Sequence, residues 1–216
     1  MDPLPPYTAV VLAGGKAARL GGQAKPQLIV GDRPILAAVL DAVSDAERRI
    51  VVGPPQPVPD DVLLAREQPV GGGPVAAIRA GLAATGTDVV LVLAGDLPFL
   101  TAELVGRLRE HLTGDGVLVV DDTGRDQYLL GAWRTTALRG AVTAAQGPTS
   151  LRKVLAPLAV RRLRPEVPAG RPPPWLDCDT PADLARARTM ARAVAAREGR
   201  ARPPARPQFL APPDPG

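Results

Sequence analysis

The sequence predicts a three-layer α/β/α domain on a mixed, mainly parallel sheet, and three observations predict it. Apolar, β-branched runs recur as YTAVVLA at residues 7–13, RIVV at 49–52 and DVVLVLA at 88–94, too uniformly apolar to leave one face in water. Between them lie segments of helical apolar spacing, ILAAVLDAV ending at Val43 and VAAIRAGLA at 75–83. Strands alternating with helices need crossover connections, so the sheet is parallel and covered on both faces. A chain of 216 residues, 45% hydrophobic and 22% charged, fits one such domain with a tail and is tight for two.

Each element has its own signal. The first strand, Tyr7 to Ala13, runs into a glycine-rich loop over residues 14–31. Pro34 then stands where a first helical residue belongs, since its fixed φ suits a helix and its missing N–H is not needed there. The strand from Arg49 to Val52 is stopped by GPPQPVP, the GGGP of 71–74 opens the next helix, and Asp88 to Ala94 form a third buried strand. Thr101 is the N-cap of AELVGRLREHL, with Glu103 in its first turn. Farther on, 116–120 and 126–133 read as strands, 134–145 as a helix, Ser150 as the start of a short helix and Arg161 to Arg164 as an edge strand. PWLDCD, residues 174–179, reads as a last short strand before a helix started by Thr180 and Pro181. The domain is expected to span 1–198, and 199–216, with six prolines, to be a disordered tail.

Composition excludes several classes of chemistry. Cys178 and His111 are the sole cysteine and histidine, which removes intrachain disulfides, multi-cysteine metal sites and histidine-rich metal chemistry. Any metal must therefore use oxygen ligands, and these two residues read as a small buried strand residue and a helix-end histidine. The first ten residues lack a basic region leading into an apolar segment, and no apolar run is long enough for a membrane helix, so a cytoplasmic protein without membrane partners is expected. Residues 1–150 hold 13 basic and 16 acidic side chains and 151–216 hold 13 and 6, so the basic excess is C-terminal. Two Phe, two Tyr and two Trp leave little to stack on bases, and nucleic acid is not an expected partner.

The glycine loop carries the chemistry. A strand ending in LAGG and followed by a basic loop presents backbone N–H groups at the carboxyl edge of a parallel sheet, where an anion can be held. The loop is neither a Walker A motif, because Gln23 follows Gly21 and Gly22, nor a dinucleotide fingerprint, because no GxGxxG leads straight into a helix. Arg19 offers a planar fork and Lys25 a compact charge, and one loop can wrap both around a triphosphate. Asp96 ends the DVVLVLAGD run at the same edge. Its carboxylate suits magnesium beside phosphates, and the competing role of helix cap is already filled by Thr101.

The string LAGGKAARLGGQAKPQL resembles the signature of the small nucleotidyltransferases at Leu12, Ala13, Gly14, Gly15, Arg19, Gly21 and Lys25. With the GGGP-helix segment, LAGDLPFL and a terminal DTPxDL, the resemblance extends over about residues 7–190 and is strongest to the molybdenum cofactor guanylyltransferases. Ala24-Lys25-Pro26 departs from that family, which has Asp-Lys and a small or apolar residue there. The resemblance implies a Rossmann-like nucleotidyltransferase fold, GTP and molybdopterin as substrates, and Mg2+ as cofactor. It implies nucleotide contacts at Leu12, Ala13, Gly14, Gly15, Arg19, Lys25, Glu67, Gly72, Gly73 and Asp96, with Arg19, Lys25 and Asp96 catalytic. It also implies Asp179 as a second metal ligand with Asp96, although Asp179 or Thr180 could simply start the last helix. The base is not chosen by these residues, because Gly53 and Pro54 offer no side-chain amide to read it. A cytidylyltransferase of the same cofactor, a nucleotidyltransferase acting on another small phosphorylated acceptor, and a catalytically silent nucleotide-binding regulator are the alternatives.

Overall fold

The computed structural model describes residues 4–14, 19–20, 23–147 and 149–201. In chain order its elements are β1 (Tyr7–Leu12), β2 (Arg19–Leu20), β3 (Gln23–Ala24), β4 (Ile29–Val30), β5 (Arg33–Pro34), α1 (Ile35–Ala42), β6 (Arg48–Val52) and β7 (Val62–Ala65). There follow α2 (Gly73–Ala83), β8 (Val89–Ala94), α3 (Ala102–Glu110), β9 (Gly116–Val120), β10 (Asp126–Arg134), α4 (Thr135–Ala144), α5 (Leu151–Leu155), β11 (Val160–Leu163) and α6 (Pro181–Ala201).

A seven-stranded sheet in the order β11-β9-β10-β8-β1-β6-β7 forms the middle layer. β1 pairs in parallel with both β6 and β8, β6 with β7 and β9 with β11, while β10 runs antiparallel to its two neighbours. Side chains alternate across the pleat, so β1 sends Ala9 and Val11 to one face and Val10 and Leu12 to the other. The first face is covered by α1 and α3 through Leu36, Val39, Leu104 and Leu108. The second is covered by α2, α4 and α5 through Ile78, Leu82, Leu138 and Val154. Each such side chain, fully buried, stabilises the fold by about 1.5–3 kcal/mol before chain entropy is counted. This is the expected three-layer, mainly parallel architecture.

A third, smaller cluster determines where the site lies. Leu28, Val30 and Ile35, from the loop after β1 and the start of α1, pack against Leu176, Cys178, Leu184 and Ala187. The C-terminal helix is thereby fastened to the glycine loop's far end. The fastening is helped by Arg188, which donates to the Ile29 carbonyl.

Several boundaries and one element differ from expectation. Residues 174–179 form no strand: three consecutive prolines, 172–174, lack donors, Leu176 N–H turns back to the Pro173 carbonyl, and no sheet strand pairs with the segment. Pro34 is the extended residue before α1, paired with Ile29 in the β4-β5 hairpin, and the helix begins at Ile35. β7 was not predicted, because a four-residue edge strand buries only Val62 fully and leaves Leu63 and Leu64 about half exposed. The loop over 14–31 contains the short pair β2-β3 and also β4, which pairs with β5 just beyond it. Finally, α6 extends to Ala201, and the tail from 202 onward lies outside the described residues.

Candidate active site

The ends of β1, β6 and β8 meet backbone to backbone at the carboxyl edge. Ala13 N–H donates to Val52 O at 2.8 Å, Gly95 N–H to Leu12 O at 2.8 Å and Gly53 N–H to Ala65 O at 2.9 Å. A Cβ on Gly53 would stand 2.8 Å from Ala13 O, and one on Gly95 3.0 Å from Leu12 O, so both positions need glycine for close approach. Leu12 and Ala13 are buried and Gly14 is exposed at the mouth of the loop. Gly15 and the Arg19 side chain lie outside the described residues. Gln56 restores a side-chain amide that Gly53 and Pro54 lack: its Nε2 donates to Ala13 O at 3.4 Å, and its Oε1 accepts from Gln27 at 3.2 Å.

Lys25 opens a 3-10 turn, Lys25–Gln27, and its side chain is only 6% exposed. Its Nζ donates to Asp179 Oδ1 at 2.7 Å, while Asp179 itself is 62% exposed. Asp179 is free to do so because Thr180 supplies the helix cap. Asp183 N–H donates to Thr180 Oγ1 at 3.1 Å and Thr180 N–H to Asp183 Oδ2 at 2.8 Å, a reciprocal box at the start of α6. Thr101 likewise caps α3, accepting from Leu104 N–H at 3.2 Å, which leaves Asp96 uncommitted as a cap.

Asp96 stands in the turn after β8, and its pKa is raised to about 6. Burial is the main cause, followed by the charges of Asp177 and Asp179, while Lys25 acts the other way. Asp177 is pushed upward by the same combination of burial and neighbouring carboxylates. Sequence reasoning did not single out Asp177, although its signal was present. In D-C-D, Cys178 is fully buried and the residues on either side face out. The thiol between them is pushed up to about 12, chiefly by burial, so it is inert as a nucleophile.

The donor set fits a hard divalent cation, because three mutually repelling carboxylates face one region and positive charge would relieve them. Among the described residues no three acidic, histidine or cysteine side chains are gathered into a ready cage. A cation here would accordingly complete its shell with water and phosphate oxygens, as magnesium does.

Glu67 and the glycines after β7 form a separate part of the edge. Glu67 is buried and its Oε1 accepts from Gly71 N–H at 3.0 Å, so its carboxylate shapes the loop that starts α2. Gly71 and Gly73 have positive φ, and a Cβ on Gly72 would meet Pro69 O at 2.8 Å. His111 ends α3 as its C-cap, away from this edge.

A family profile described as the MobA-like NTP transferase domain matches residues 9–164. The chain belongs to this family. As a MobA-like NTP transferase it is a nucleotidyltransferase, and its relatives agree with that assignment. It is 32% identical over 202 residues to a molybdenum cofactor guanylyltransferase of Rhodopseudomonas palustris, covering 88% of this chain and 93% of that protein. A protein of the same name from Acidiphilium cryptum is 31% identical, over 82% of this chain and 91% of its own. Among solved structures, molybdopterin-guanine dinucleotide biosynthesis protein A from Archaeoglobus fulgidus superposes with a TM-score of 0.67 at 20% identity, over 86% of this chain and 98% of that one. The 2-C-methyl-D-erythritol 4-phosphate cytidylyltransferase of Thermus thermophilus shares the fold at a TM-score of 0.63 and 20% identity, over 85% and 98%. Both solved structures thus share this fold. No helix among the described residues is long and apolar enough to cross a membrane.

Proposed function

We propose that this MobA-like transferase moves GMP from GTP to the phosphate of molybdopterin in the cytoplasm and releases pyrophosphate. An oxygen of the acceptor phosphate attacks the α-phosphorus in line as the bond to the β-phosphate oxygen breaks, and no covalent enzyme intermediate is needed. The observation that carries the reading is the buried Lys25 ammonium, paired with Asp179 beside the raised carboxylate of Asp96 at the carboxyl edge. In such a site catalysis is positional and electrostatic.

The loop amides from Gly14 and Gly15 onward, with the Arg19 guanidinium, hold the β and γ phosphates, while Leu12 and Ala13 carry that loop on the sheet, the Ala13 N–H being given to Val52 O. Lys25 leaves Asp179 to neutralise charge at the transferring group. Asp96 and Asp179 would hold Mg2+, which supplies charge neutralisation between nucleotide and acceptor. Glu67 acts through the loop it fastens, setting Gly72 and Gly73 so that the base can lie against backbone and the α2 N-terminus can face the nucleotide.

Purified protein incubated with Mg2+, molybdopterin and each of the four NTPs tests this. Nucleotide-linked pterin and pyrophosphate should appear fastest with GTP. A preference for CTP would make the enzyme a cytidylyltransferase, and no pyrophosphate from any pairing would make it a silent nucleotide binder.

A further inference from the structure

On one side the sheet ends at β7, which pairs with β6 alone and turns its other edge outward. Gly53 N–H donates to the Ala65 carbonyl, so the main-chain groups of Leu63 and Ala65 face β6 and, by alternation, those of Val62 and Leu64 face away from the sheet. The devices that blunt an edge strand are missing here: Val62–Ala65 hold no charge, no proline and no bulge. Leu63 and Leu64 are 46% and 48% exposed. They lie on opposite faces, since Val62 joins the core under α1 and α3 while Ala65 packs against the one under α2. A strand that completes this edge must therefore be apolar on both of its faces.

The flanks of β7 specify that strand further. Two acids precede it and one cation follows it, in the order Asp60-Asp61-Val62-Leu63-Leu64-Ala65-Arg66. Asp61 is taken by Arg49 of β6. Asp60 and Arg66 are both exposed and enter no ion pair among the described residues. A strand acidic at its start and basic at its end is complementary to its own antiparallel copy.

About a two-fold axis normal to the sheet, each face of one copy continues into the same face of the other, so directly opposed residues must both be odd-numbered or both even-numbered. The register centred on Leu63 meets this condition. It sets Leu63 against Leu63 of the other copy on the α2 side, sets Leu64 against Val62 on the α1 side, and brings Asp60 to Arg66 at both ends. No like charges oppose one another in it. β11, at the opposite edge, lacks this property, because a copy of that strand would set arginine beside arginine.

We infer that β7 is a self-docking edge: two copies of this chain join through it as a two-fold dimer, two sheets of seven strands becoming one of fourteen. The pairing needs neither nucleotide nor metal.

Sedimentation velocity on the full chain, between about 1 and 300 µM where small interfaces dissociate, tests the pairing. The mass should rise with concentration from the 22.4 kDa of one chain toward twice that. Hydrogen exchange at the Leu64 amide should slow in step with the mass, because that N–H is then given to the Val62 carbonyl of the other copy. Leu64→Lys should raise the dissociation constant about tenfold or more. Asp60→Arg and Arg66→Asp should each weaken self-association by a similar factor. An equimolar mixture of those two variants should associate as the parent does, because one is basic at both ends of β7 and the other acidic at both. A single chain at every concentration, a dimer that survives Leu64→Lys with the Leu64 amide unprotected, or a mixture no tighter than its components would each overturn the assignment.

Discussion

Asp96 holds its charge at a cost, and the cost has a definite pH dependence. Its folded pKa of about 6 lies above the ordinary value of 3.8, so the folded state binds the proton more tightly than the unfolded chain does. The penalty is absent below about pH 4, grows as pH rises toward 6 and is complete above that. Asp96→Asn should therefore stabilise the metal-free protein at pH 8 by on the order of 3 kcal/mol, a gain that fades toward pH 4. Denaturant titrations at the two pH values measure this, and a loss of stability at pH 8 would instead make Asp96 a structural anchor. The same substitution should collapse turnover, because an amide lacks the charge magnesium requires. Asp179→Asn retains a carbonyl oxygen and should lose less. For Lys25→Ala, a rate fall of about tenfold to a hundredfold is expected from one lost charge-assisted phosphate contact. Stability should change little there, since water can solvate the exposed Asp179 carboxylate; full activity would remove Lys25 from the mechanism.

Between elements, contact distances set the tolerances. α2 rests on β1 through Gly81, where an added Cβ would meet Val10 Cγ1 at 2.4 Å. Gly81→Ala should cost about 1–3 kcal/mol by overpacking, although alanine is the better helix former, and Val10→Ala in the same chain should recover part of it. Thermal melts of the two single variants and the double variant decide; additive losses would refute the contact. The same scale explains what the sequence could convey. β1 and β8 were legible because each is buried on both faces and writes that as an unbroken apolar run. Thr101 and Thr180 were legible as caps because capping is local. β7 was not, being short and half exposed, and residues 174–179 displayed alternation without revealing that no strand pairs with them. The Lys25-Asp179 pair joins positions 154 apart, and the third apolar cluster, with Arg188 on the Ile29 carbonyl, brings them together.

Across the whole molecule the two edges of the sheet are treated differently. β11 exposes the charged side chains of Arg161 and of Arg162, the latter paired with Asp126, whereas β7 at the far edge exposes Leu63 and Leu64. Leu64→Lys should raise the temperature at which light scattering first detects aggregation while leaving turnover unchanged, and an unaltered onset would clear β7 as the weak edge. The fastening of α6 to the glycine loop has a kinetic consequence as well. Cys178, the chain's sole thiol, is sealed between them at 0% exposure. A thiol-specific dye can reach it only when the helix and loop part, so the labelling rate times that parting one molecule at a time. Nucleotide that grips the loop would slow this clock in proportion to its occupancy, and the protein would report the tightness of its own closure through an atom that takes no part in the chemistry.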